Sequence, residues 1–212
     1  MSFSAYARRV RDPAVPFRWR VSALRSCVQL YRPLGYHATL DYLRERAGRF
    51  DRDEAALLRA LDALRASRAG WHADLREYAA ARAEAKRHGQ RSPRPGERNP
   101  NHKPAVWYGA PRDGALHALT YWRRKRLEEL RRSEDPAVEA VDSCVGACLA
   151  AGGPLGDAER ERLAGVVREL GERLAGGLYD EDYAAYCRTR ELLSVAALVS
   201  TADGSGVPQT VS

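Results

Sequence analysis

Arginine dominates the side chains able to do chemistry in this 212-residue chain, and its densest run, Arg123, Arg124, Lys125 and Arg126, follows directly on Tyr121 and Trp122. A guanidinium fork matches two phosphate oxygens at once, and a neighbouring aromatic ring offers its face to an exposed base. A second set, Arg91, Arg94, Arg98 and Lys103, shares its stretch with Pro93, Pro95, Pro100 and Pro104. This composition suits a basic arm that becomes ordered against a phosphate backbone. Arg44, with His37, Thr39 and Asp41, lies in a short segment after Arg32-Pro33-Leu34-Gly35. Helix, tight turn with glycine and second helix is the outline that presents side chains to a major groove, and these four residues would face the base edges.

Arg112-Asp113-Gly114-Ala115-Leu116-His117 suggests a different chemistry, with an arginine followed by a polar residue and a histidine five positions on. The pattern resembles the signature of the HEPN ribonucleases, all-α proteins that act as dimers. Over these six residues, the resemblance implies His117 as proton-transfer group and Arg112 as holder of the phosphate. Gly114 inside the motif lowers the expected helix stability there. The four cysteines, Cys27, Cys144, Cys148 and Cys187, are irregularly spaced, which argues for reduced, partly buried apolar residues rather than a disulfide framework or zinc ribbon. Cys144 and Cys148 stand one helical turn apart, but no second Cys or His pair has ligand spacing, so no metal is expected. Glycine-rich phosphate loops, nucleophile elbows and paired-histidine motifs do not occur. The common hydrolytic and nucleotide-driven classes are thereby disfavoured, and no cofactor is expected.

The net charge of +7 conceals a division. Residues 1–132 hold 29 Lys and Arg against 14 Asp and Glu, a net of +15, whereas residues 133–212 hold 6 against 14, a net of −8. A general bias toward arginine would not spare the last third, and clustering of this kind is the footprint of a polyanion site.

The elements that must position these groups read as helices throughout. Ala, Leu, Arg and Glu dominate, only 3 Phe occur, and a 44% hydrophobic fraction can supply a core. Seven helices are expected, over about 17–31, 37–47, 53–88, 112–132, 136–151, 157–175 and 180–201. In the long third one, Leu57, Leu61, Leu64, Arg68, Trp71, Leu75, Tyr78 and Arg82 form a heptad seam. Such a seam packs either on the same chain or on a second copy, and Gly70 is a candidate bend. Residues 1–88 then form a basic helical subdomain, 89–111 a proline-rich linker, 112–202 a second subdomain acidic after 133, and 203–212 a disordered tail. The apolar stretch 192–199 marks the last helix as central or covered by a partner.

No apolar run serves as a signal peptide and none approaches a membrane span, which predicts a cytoplasmic protein with no membrane partner. An all-α, non-enzymatic accessory or regulatory protein that binds DNA or RNA through phosphates is the reading that joins these features. The alternatives are a helical adaptor that self-associates through opposed charges, with a homodimer as the simplest assembly, and a HEPN-like ribonuclease.

Overall fold

In a computed structural model, described over residues 1–93, 100 and 106–205, every regular element is helical. The chain divides into two compact units, residues 1–110 and 111–212.

Four helices build the first unit: α1 (Phe3–Arg11), α2 (Phe17–Leu30), α3 (Tyr36–Ala47) and α4 (Glu54–Arg87). The sequence had not predicted α1, since Arg8, Arg9 and Arg11 read as a solvated lead. Phe3, Ala7 and Val10, spaced by four and three residues, nevertheless give it a buried stripe. Ser2 caps its start by accepting the Ala5 N–H. Asp53 caps α4 in the same way, accepting from Ala55 and Ala56. Its 34 residues span about 51 Å at 1.5 Å per residue.

The heptad seam of α4 is buried within the unit over its near half and partly covered over its far half, where Trp71, Leu75 and Tyr78 are half-buried. Leu57, Leu61 and Leu64 are fully buried where α4 meets the three preceding helices, and the Arg68 guanidinium lies 4.4 Å from the centre of the Phe3 ring. Beyond that point the chain that follows α4 supplies partners. Arg82 donates to the carbonyls of Gln90 and Arg91, the Trp71 indole N–H to that of Pro100, and the Tyr108 hydroxyl to Asp74. Val106 and Trp107 are buried, with Trp107 edge-on to Tyr42 at 4.7 Å. The described residues of the proline-containing segment thus belong to the first unit. Gly70 does not interrupt α4; a Cβ there would stand 2.9 Å from Tyr108 Cβ, so the glycine makes room for that side chain.

In the second unit, α5 (Pro111–Lys125), α6 (Leu127–Arg131), α7 (Pro136–Ala150), α8 (Asp157–Ala175) and α9 (Leu178–Glu181) surround α10 (Tyr183–Asp203). Residues 192–199 of α10 are buried except Ser194, and the helix packs on α5, α7 and α8, which makes it the central element. Asp135 with Pro136 starts α7 as cap and first helical residue. Ten helices replace the expected seven among the described residues, through three local differences. Besides α1, the helix expected over 112–132 breaks at Arg126, whose backbone leaves helical geometry (φ −121°), and Leu127 and Leu130 turn inward on the far side. The last helix starts at Tyr183 instead of residue 180, because Asp182 accepts the Ala185 N–H as its cap and residues 178–181 form a separate turn after Gly177. No described helix is long and apolar enough to cross a membrane.

Candidate nucleic-acid interface

Arg126 and Arg123 of the basic run are tied to carboxylates inside their own unit. Arg126 presents Nε and Nη2 to the two carboxylate oxygens of Glu191 at 3.0 and 2.9 Å, and this hydrogen-bonded pairing raises the guanidinium pKa, holding it charged. The Arg123 Nε stands 2.8 Å from Asp142, a buried carboxylate shared with Arg131 at 3.1 Å. Arg124 lies over the Tyr121 ring at 5.7 Å, and Lys125 is exposed. Trp122 is buried and offers no face to a base. The run therefore ties α5 to α7 and α10 on one side and leaves Arg124 and Lys125 toward solvent.

Thr39 on α3 is fully buried and accepts the Leu34 N–H, fixing the turn from within. It cannot be the base-reading residue the sequence suggested. Ala38, Leu40 and Leu43 are buried beside it, and the exposed set reduces to His37 and Arg44, with Asp41 half-buried. Arg44 stacks over Phe50 at 5.2 Å. Of the arm residues, Arg91 is exposed while its carbonyl is held by Arg82. Arg94, Arg98 and Lys103 lie outside the described residues.

Arg112 and His117 are not brought together. Five residues on a helix are about 140° apart around its axis, and α5 runs unbroken through Gly114. Arg112 donates from Nε and Nη2 to the Gly152 carbonyl at 3.0 and 2.6 Å, closing the turn after α7. His117 is half-buried on the same helix. Three cysteines sit in the cores: burial raises the Cys144 thiol and pushes Cys27 up to about 12 and Cys148 up to about 11. Such thiols stay protonated and unreactive. Cys187 departs from the expectation of burial and is exposed. No described group of His, Cys, Asp and Glu residues is arranged to hold a metal ion.

A different surface gathers unopposed charge. Residues 1–40 contain seven arginines and one carboxylate, Asp12, which is turned to the Ala14 N–H. Arg20 is buried as a strut, with Nε on the Val10 carbonyl and Nη1 on Glu54, both at 2.7 Å, and Arg11 pairs with Asp62. The other five, Arg8, Arg9, Arg18, Arg25 and Arg32, are exposed and make no ion pair among the described residues. On α2, Arg18, Ser22, Arg25 and Gln29 recur at four, three and four residues, so one solvent stripe carries them. The near absence of Asp and Glu from the first forty residues was the signal that could have located this face. At the boundary after Ala110 the first unit carries 22 Lys and Arg against 11 Asp and Glu, net +11, and the second 13 against 17, net −4. Comparison of the chain with family models, curated proteins and solved structures finds no match.

Proposed function

We propose that the protein is a non-enzymatic nucleic-acid-binding factor whose main contacts are phosphates, made by the packed pair α1 and α2 with Arg44, Arg91, Arg124 and Lys125 as further contributors. Arg94, Arg98 and Lys103 join them on sequence grounds. The observation that carries this reading is the set of five exposed arginines in residues 1–40 with no carboxylate partner among the described residues. Phosphates are the natural counter-charge for such a set, since each guanidinium can displace a condensed counterion.

The test is binding to single-stranded and duplex DNA and RNA between 50 and 200 mM salt. Affinity should fall steeply, with a logarithmic slope of about −0.7 to −0.9 for every phosphate contacted. Joint replacement of Arg8, Arg9, Arg18 and Arg25 by Gln should flatten that slope by about 3. A slope untouched by the four substitutions would refute the assignment. The difference between +11 and −4 also suits an adaptor that associates head to tail with itself. That rival requires self-association that dissolves with salt in the absence of nucleic acid, which sedimentation measures directly.

A further inference from the structure

Four tryptophans occur in the chain, and three lie against the interior of their own units, though the buried Trp122 indole N–H also has no hydrogen-bond partner among the described residues. Trp71 stacks on Tyr31 at 5.6 Å and donates to Pro100, while Trp107 and Trp122 are each 4% exposed in the cores. Trp19 is 47% exposed and its indole N–H has no hydrogen-bond partner among the described residues. The Arg18 guanidinium lies over it, 5.2 Å from the ring centre. The residue thus stands on α2, in the first turn, beside the arginine stripe that begins at Arg18.

We propose that Trp19 is a base-stacking platform and that the ligand of this face is a single-stranded nucleic acid. This rests on the phosphate-binding reading above and deepens it. Duplex DNA and RNA hide the faces of their bases, so a ring on a basic surface gains from stacking only where bases are unpaired. A guanidinium beside the indole can contact the adjacent phosphate or extend the stack by a cation–π contact. Charge decides against an apolar partner. Five unpaired arginines share residues 1–40 with the ring, and an apolar protein surface would have to desolvate those near it without compensation.

The experiment follows tryptophan emission of the full chain while titrating a fifteen-nucleotide oligothymidine, the matching oligouridine, a fifteen-base-pair duplex and vesicles containing phosphatidylserine. Single strands should quench the wild-type emission. Trp19→Phe should abolish most of the quench while keeping most of the affinity, since a phenyl ring still stacks. Trp19→Ala should weaken single-strand binding roughly ten-fold or more, within the range seen for removal of one stacked base contact, and leave duplex binding unchanged. Trp19 is surface-placed, and unchanged circular dichroism will verify that both variants fold. Equal loss for duplex and single strand, no loss with Trp19→Ala, or a Trp19-dependent response to vesicles but not to oligonucleotides would each overturn the proposal. The phosphate-binding reading fails separately, if the wild type binds none of the oligonucleotides at low salt.

Discussion

Arg126 illustrates how a residue's chemistry is set by what faces it. In the sequence it belongs to the densest basic run and reads as a phosphate contact; folded, it meets Glu191, sixty-five positions away, and Glu129 on the adjoining turn. No local pattern announces a partner at that separation, whereas the arginine-rich composition itself was legible. Arg126→Gln should therefore lower stability by about 1 kcal/mol, as expected for a half-exposed bidentate pair, with oligonucleotide affinity changed less than two-fold. Thermal denaturation and a binding titration on the same variant check both parts. Asp203 gives a prediction in pH. Its side chain is buried, and the Arg160 guanidinium and the Leu155 N–H hold its carboxyl down at about 2 from the usual 3.8. A depressed pKa contributes stability that is complete above about pH 4 and disappears as the pH falls toward 2. Asp203→Asn should cost about 2 kcal/mol at pH 7 and nearly nothing at pH 2, so denaturation curves of wild type and variant should converge in acid. The cysteines permit a simple count. A maleimide should modify Cys187 alone in the native protein and all four thiols after unfolding, and mass spectrometry reads the difference.

Elements were the more legible level. Long periodic segments such as α4 and α8 stand where their apolar spacing predicts, and the Asp135-Pro136 start is a local signal that needs no tertiary context. What the sequence missed lies at places where a neighbour decides. The buried stripe of α1, three residues long, is too short to stand out among arginines until α2 and α4 cover it, and Arg126, where the helix breaks, finds its partner in distant Glu191. Gly70 shows the same ambiguity from the other side, because a mid-helix glycine is equally readable as a bend or as space for a partner. Its role here is space for Tyr108, whose N–H and hydroxyl reach Ser67 and Asp74 at 3.0 and 2.6 Å. Gly70→Ala should raise intrinsic helix stability by about 1 kcal/mol, yet the forced displacement of Tyr108 costs about 1–3 kcal/mol. Net destabilisation of the first unit, with faster amide exchange at Tyr108, is the expected outcome; a higher melting temperature would show that Tyr108 moves away without loss.

For the whole molecule, charge and architecture divide the chain at different places. The charge changes sign near residue 133, inside the second unit, where removing the acidic portion would strip α7 and α10 from the buried faces of α5. The cut that respects both cores is after Ala110. Residues 1–110 should retain the oligonucleotide affinity of the full chain within a few-fold or exceed it, since a net −4 portion is removed, and residues 111–212, which hold only Arg124 and Lys125 of the proposed contacts, should bind far more weakly. Filter binding at low salt with both fragments settles this, given native helix content in each. The return of the chain along the far half of α4 also has a kinetic side. Trp71, Leu75 and Tyr78 emerge during synthesis well before Tyr108, which follows the end of α4 by twenty-one residues. Counted from Tyr78 and Trp71 themselves, 30 and 37 residues before Tyr108, at ordinary elongation rates of about 5–20 residues per second that face waits on the order of two to seven seconds for its cover. Arg68, Arg76 and Arg82, spaced among those rings, then act as gatekeepers, their like charges holding nascent chains on a polysome apart until the segment arrives.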